Sequence, residues 1–466
     1  MSNILIGKSG DKGCYLVPKM VNRHGLIAGA TGTGKTITLR TITEGLSKIG
    51  VPVFLADMKG DLSGISKAGS DKSFKDRAYD MGVTDFKFEG FPCKYWDIYR
   101  DNGVEIKAPV REVGSFLLSR VLGLTKVQCG VLDLVFAIAK DKQFRLDTLS
   151  DVKDILKYMM EFDEELFTEY GTFYPSTLGA ILRAVINIEQ QGGSLFFDTS
   201  SFELQDMVQT DNGRGVVNIL DCTRLVQEPL MYSTFILWIL DKLYTELPEV
   251  GDCDKPKFVL FFDEAHLLFE DTSKAVVSKV AQIVRLIRSK GVGVYFISQS
   301  PSDIPDRVLS QLSNRVQHSL RAFTPDEMRA VKVAAKSFRP NPNFDTEDCI
   351  MELGVGEALV SFLDEGGIPM MVQRANIFPP CSDLNILNGE QRKEYNRKNG
   401  KNKLKTHQNT TTYKSIPHRQ KQAEKRQNNG SDNVGQIRNT YYERNTRPSM
   451  TGAVVGGILN GLLGKW

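Results

Sequence analysis

Apolar runs of four to seven residues alternate along this chain with stretches in which apolar positions recur every three or four residues. That alternation predicts an α/β fold with a central, mostly parallel sheet. Gly25-Leu26-Ile27-Ala28, Val51-Pro52-Val53-Phe54-Leu55-Ala56-Asp57, Val216-Val217-Asn218-Ile219-Leu220-Asp221, Phe258-Val259-Leu260-Phe261-Phe262 and Val292-Gly293-Val294-Tyr295-Phe296-Ile297-Ser298 read as strands covered on both faces. Further strands are expected near 316–320 and 358–363. Helical spacing runs on from Ile37-Thr38-Leu39-Arg40 and returns at about 229–246. At 274–289 it sets Val276, Val277, Val280, Ile283, Val284 and Ile287 on one face. Segment 74–100 alternates aromatic and polar positions (Phe86, Phe88, Phe91, Tyr95, Trp96), which predicts antiparallel edge strands.

Between 110 and 190 the pattern is helical throughout. Val113, Phe116, Leu117, Val121 and Leu124 keep three- and four-residue steps, as do Val131, Leu134, Val135 and Ile138. The expected organisation is a short β segment at 1–24, half of a core at 25–109, an all-helical insertion at 110–190 and the second half at 191–380. Residues 381–450, rich in Asn, Gln, Lys, Arg and Thr, read as a disordered basic linker. Residues 451–466 are apolar again, too short to span a bilayer but suited to docking or to an interfacial anchor.

Charge sharpens this division. Residues 390–450 carry 15 basic against 5 acidic groups, whereas residues 1–389 carry 43 against 51. A mildly acidic body is followed by a basic tail that suits a phosphate backbone or an acidic lipid surface. Seven cysteines lie scattered without Cys-x-x-Cys pairs, the usage of a cytoplasmic protein with reduced thiols. The N-terminus lacks the apolar core of a signal peptide, and no apolar run approaches the roughly twenty residues of a membrane span.

The most informative local pattern is Gly29-Ala30-Thr31-Gly32-Thr33-Gly34-Lys35-Thr36, between the first buried strand and a helix. Its glycines permit a tight turn that aims successive N–H groups at phosphates, and the helix N-terminus adds its positive end. Lys35 then reaches the β/γ-phosphates and the Thr36 hydroxyl meets magnesium, so the chain is expected to bind a nucleoside triphosphate. Asp263 and Glu264 close the Phe258–Phe262 run. That position suits a magnesium-shell carboxylate followed by a general base for an attacking water, which points to a hydrolase. Gln299, at the tip of the 292–298 strand, is placed to sense the γ-phosphate.

On the 274–289 helix, Arg285 and Arg288 share a flanking face and are candidates for an arginine offered to a neighbouring subunit's γ-phosphate. Asn314-Arg315 is a second candidate pair. Asp263-Glu264-Ala265-His266 spells the DEAH box of another helicase superfamily, but the accompanying motifs of that superfamily are missing. Cys14, Cys93 and His24 have no metal-ligand spacing.

With these motifs in this order, the chain resembles the HerA/FtsK superfamily of hexameric motor ATPases, and within it the bacterial HerA-like proteins. The stretches that carry the likeness are Asn22–Ala28 leading into the loop, Phe54–Gly64, Arg285–Gly293 and Asn314–His318. The resemblance covers about 1–380. It implies a RecA-like core, ATP and Mg2+ as ligands, a homo-hexamer with nucleotide sites between subunits, an arginine supplied in trans, and DNA in a central channel. Carried over by position, Lys35 and Thr36 bind phosphate and magnesium, Asp263 and Glu264 form the acidic motif, Gln299 is the sensor, and Arg285 or Arg288 the finger. HerA itself carries an N-terminal β-barrel; here fewer than thirty residues precede the loop, and docking to a nuclease is not expected. The leading expectation is a cytoplasmic, ATP-driven DNA translocase or helicase-like motor. Its rival is an assembly or switch ATPase acting on protein or membrane without DNA dependence.

Overall fold

A computed structural model describes residues 2–199, 202–270, 274–399 and 412–417. The apolar runs become strands of one twelve-stranded sheet. In chain order these are β1 (Ile4–Ser9), β2 (Lys12–Leu16), β3 (Gly25–Ala28), β4 (Val53–Asp57), β5 (Cys93–Asp97), β6 (Val104–Glu105), β7 (Val217–Asp221), β8 (Phe258–Phe262), β9 (Val292–Ser298), β10 (Asn314–Gln317), β11 (Glu357–Ser361) and β12 (Gln373–Ile377). Across the sheet they lie in the order β2-β1-β12-β11-β10-β3-β9-β8-β4-β7-β5-β6. The eight from β10 to β6 are parallel, and the other four are antiparallel.

Strand alternation divides the side chains between two packed layers. Leu26, Phe54, Ala56, Leu260, Phe262, Val294 and Phe296 face the larger apolar core, which includes the helices from Val110 to Phe196 and the helix Pro229–Glu246. Ile27, Val53, Leu55, Val259, Phe261 and Ile297 face the opposite core, where Leu39, Ile42 and Leu46 of helix Lys35–Lys48 cover them. Because both faces are covered, the runs are almost wholly apolar, with Asn218 a buried, hydrogen-bonded exception. The fold is therefore the RecA-like α/β class expected from the sequence.

Two expectations need correction. Segment 74–100 does not form antiparallel strands: Lys72–Asp80 is a helix capped by Asp71, whose carboxylate accepts from the Ser73 N–H. Only Cys93–Asp97 is a strand, and it runs parallel to β7, with Cys93 opposite Val217. The aromatic spacing misled because Phe86 and Phe88 sit in a loop, where the Phe86 ring packs edge-on against both Phe88 and Phe378. Residues 1–24 carry β1 and β2, and β1 pairs with β12 on the antiparallel side of the main sheet.

The second correction concerns the expected disordered linker. Its first part, 381–399, is folded onto the body, with a helix at Gly389–Asn399. Polar groups dock it, which an apolar count does not register. Arg392 is buried against Asp221 at 2.8 Å, and the Asn396 amide pairs with the Tyr95 N–H and C=O. The Lys414 N–H donates to Gln143 O. The remainder of the basic stretch and the apolar 451–466 lie outside the described residues. Among the described residues no helix is long and apolar enough to cross a membrane.

Candidate active site

The loop after β3 turns on glycines held at positive φ. Gly32 and Gly34 have φ of 79° and 116°, and Gly34 is the N-cap of helix Lys35–Lys48. A Cβ on Gly29 would lie 2.5 Å from His318 Cβ, so the backbone here packs directly on the residue that follows β10. The Ala30 N–H donates to Ser319 O, and the Gly356 N–H donates to Thr33 O, which seats the loop on the neighbouring β10 and β11 connections. Lys35 Nζ donates to Gly29 O at 2.6 Å and to Ala30 O at 3.1 Å, bracing the loop from inside. Burial holds the Lys35 ammonium below the usual lysine range, with Glu264 as the leading opposing charge.

His318 lies beneath the loop. Its Nδ1 lies 2.9 Å from Glu357 O, an acceptor only, so Nδ1 carries the proton and Nε2 accepts from the Thr38 hydroxyl, also at 2.9 Å. Burial pushes its pKa down to about 4, and the ring is neutral at physiological pH.

β8 stands between β9 and β4 and delivers the acidic pair to the same edge of the sheet. Asp263 lines one cleft with Thr36, Lys35, Lys59 and Asp61. Burial, then the charge of Glu264, pushes its pKa up to about 6. Glu264 has φ of 47°, a left-handed conformation that a glutamate adopts only when its surroundings impose it. Its Oε1 is 2.9 Å from Lys59 Nζ, and Oε2 is 3.5 Å from His266 Nδ1. Burial works against the Glu264 charge, but Lys59, His266 and Gln299 outweigh it and hold the carboxyl below the usual range. Gln299 is exposed at the tip of β9, close enough to contribute to that balance.

The cleft suits magnesium carried by a nucleotide. Among the described residues no group of three or more His, Cys, Asp or Glu could hold a metal. The Thr36 hydroxyl and Asp263 carboxylate share the cleft, and magnesium is commonly held by one or two such protein groups with phosphate oxygens and water completing its shell.

The candidate arginines lie elsewhere. Arg285 is exposed near the end of helix Lys274–Ile287, and Arg288 lies in the turn Arg288–Lys290 that leads into the start of β9. That is the opposite end of the sheet from the loop, so both are remote from this chain's own acidic pair. Arg288 is 3.9 Å from Asp252, and Arg285 shares a polar cleft with Arg307. Arg315 is engaged locally, donating to Leu312 O and Leu309 O.

Two residues at the site carried no sequence signal of their own. Lys59 follows β4, and only the pairing of β4 with β8 brings it to Glu264. His318 is separated from Thr38 by 280 residues and reaches it because β10 lies beside β3.

A glycine-rich phosphate loop and an acidic pair on two parallel strands of a RecA-like sheet, with β9 between them, define a P-loop ATPase. Residues 3–457 match the family described as helicase HerA-like C-terminal, and the chain belongs to that family. It is 22% identical over 359 residues to a probable helicase of Methanocaldococcus jannaschii, covering 73% of this chain and 60% of that protein. It is also 22% identical over 345 residues to the DNA double-strand break repair helicase HerA of Saccharolobus solfataricus, covering 72% and 61%. The chain thus spans about three fifths of the length of these curated relatives. Among solved structures it is similar to the bacterial conjugative coupling protein TrwB, at 15% identity with a TM-score of 0.52 over 80% of this chain and 88% of that one. VirB4 of Thermoanaerobacter pseudethanolicus gives 14% identity and a TM-score of 0.52 over 81% and 96%. At such identities the likeness concerns the fold alone.

Proposed function

We propose that this protein hydrolyses ATP with Mg2+ as a homo-hexameric motor of the cytoplasm that moves along or separates DNA. The observation that carries the reading is the convergence of Lys35, Thr36 and Asp263 in one cleft, with Glu264 beside Asp263 in a strained backbone conformation. The roles follow from that geometry. The N–H groups of residues 29–34 and the N-terminus of helix Lys35–Lys48 cradle the phosphates, and Lys35 neutralises them. Thr36 and Asp263 hold magnesium, which when bound would neutralise charge developing on the phosphates. Glu264 takes a proton from the attacking water, and Gln299 orients that water or reads the γ-phosphate.

Arg285 or Arg288 completes the site of a neighbouring copy, a role supported by their distance from this chain's own loop. DNA as partner is supported by the basic stretch 390–450 and by the relative whose name assigns it to DNA break repair. A reducing compartment agrees with seven free cysteines.

The test is ATP turnover measured with and without linear duplex DNA over a salt series. A motor is stimulated by DNA, and the stimulation falls steeply as salt rises because phosphate contacts release counterions. Turnover indifferent to DNA at every salt concentration would replace the motor with an assembly or switch ATPase acting on protein or membrane, through the basic stretch and residues 451–466.

A further inference from the structure

Lys59 is a second lysine at the cleft, and its backbone and side chain are held very differently. The turn Met58–Asp61 is tied down from several sides. Asp57 accepts from the Gly60 and Leu62 N–H groups at 2.8 and 3.0 Å, and Arg40 donates to Asp61 O at 2.5 Å. The Ser63 hydroxyl donates to Gly60 O at 3.2 Å, and Arg392 reaches the same carbonyl at 3.4 Å. The Lys59 side chain, by contrast, is 46% exposed, while its partner Glu264 is only 11% exposed. Lysine's long stem carries a compact ammonium that exchanges partners readily, whereas the glutamate is fixed by burial and by its left-handed backbone.

With Glu264 acting on the attacking water, the γ-phosphate lies just beyond that water. An ammonium 2.9 Å from Glu264 is then within one side-chain swing of it. Lys35, already bonded to two loop carbonyls, is the less mobile of the two lysines.

We propose that Lys59 is the residue that distinguishes a nucleoside triphosphate from a diphosphate. Without a γ-phosphate, its ammonium pairs with Glu264. When a triphosphate is bound, the ammonium transfers to the γ-phosphate, the more highly charged acceptor, and the Glu264 carboxylate is released toward the water. A diphosphate offers no such acceptor and leaves the pair closed. Lys59 is thus a specificity-determining residue, and its effect on the base rests on the reading of Glu264 given above.

The experiment is binding rather than turnover. Affinities for ADP and for a non-hydrolysable ATP analogue, both with Mg2+, are measured by displacement of a fluorescent nucleotide from the full chain. The proteins are the wild type, Lys59→Ala, Lys59→Arg, Glu264→Gln and the Lys59→Ala/Glu264→Gln double variant. Lys59→Ala is expected to weaken the triphosphate analogue about ten-fold or more, the scale of one charged hydrogen bond, while ADP stays within about two-fold. Lys59→Arg recovers most of the loss. Glu264→Gln tightens the analogue but not ADP, and that gain disappears in the double variant.

Equal weakening of both nucleotides by Lys59→Ala would mark a merely structural residue and overturn the proposal, as would no change in either. An effect of Glu264→Gln that persists without Lys59 would also overturn it. Failure of Glu264 as the base would appear separately, as undiminished ATP turnover in Glu264→Gln.

Discussion

Replacing Arg392 with methionine removes the cation that reaches into a row of three buried carboxylates. Asp57, Asp221 and Asp97 end the adjacent strands β4, β7 and β5 and stand opposite one another in register. All three are nearly inaccessible, and burial, then the charge of Asp61, pushes the Asp57 pKa up to about 7. Arg392 and Asp221 meet at 2.8 Å with side chains only 7% and 6% exposed. Stranding one member of such a pair costs about 3–5 kcal/mol, since the remaining charge keeps its desolvation penalty.

The chain has an escape, because helix Gly389–Asn399 can lift off and let water reach Asp221. The loss is therefore capped by the docking energy of that helix and should appear first as local opening. Hydrogen exchange should accelerate by about two to three powers of ten in 389–399, and also at the Gly60 and Leu62 amides that Asp57 holds. Adding Asp221→Asn to Arg392→Met should recover part of the loss, since it removes the stranded charge. Exchange altered by less than about three-fold in Arg392→Met would refute the reasoning and mean that the pair is effectively solvated.

The loop glycines should separate by geometry. Gly34→Ala places a Cβ 3.3 Å from His318 Cε1 at a φ of 116°, so about 1–3 kcal/mol of strain should weaken nucleotide binding, measured by fluorescent displacement. Gly32→Asn, at a φ of 79° with nothing within 4 Å, should cost less than about 1 kcal/mol in a urea titration. His318 gives a pH signature of known sign. Its folded pKa, about 4, lies below the ordinary histidine value of 6.5, so its contribution is complete above 6.5 and is lost as pH falls toward 4. The stability gap between wild type and His318→Gln should therefore narrow by about 1.4 kcal/mol per pH unit across that window. A constant gap would mean that the histidine is charged in the folded protein.

The parallel strands that bear the site were legible because double burial leaves the same mark in sequence and structure. Phe258–Phe262 and Val292–Ser298 lie where their apolar runs predict. Gly29–Thr36 was legible for a related reason, since the positive φ at Gly32 and Gly34 admits few residues. What escaped were relations between strands. Nothing along the chain says that the turn after β4 faces the end of β8, so Lys59 bears no mark of its own within Phe54–Gly64. The helix Gly389–Asn399 was missed for the opposite reason: one buried arginine and one asparagine pairing with a strand backbone dock it, and composition counts both as solvent-loving.

The account stands most directly on Glu264. Phosphate release from ATP and Mg2+, compared between wild type and Glu264→Gln with binding measured alongside, tests it. The prediction is that the variant binds ATP at least as well as the wild type but turns it over about a hundred-fold more slowly or less. A variant that hydrolyses ATP at the wild-type rate would contradict the account, because the left-handed glutamate beside Asp263 would then not be the base.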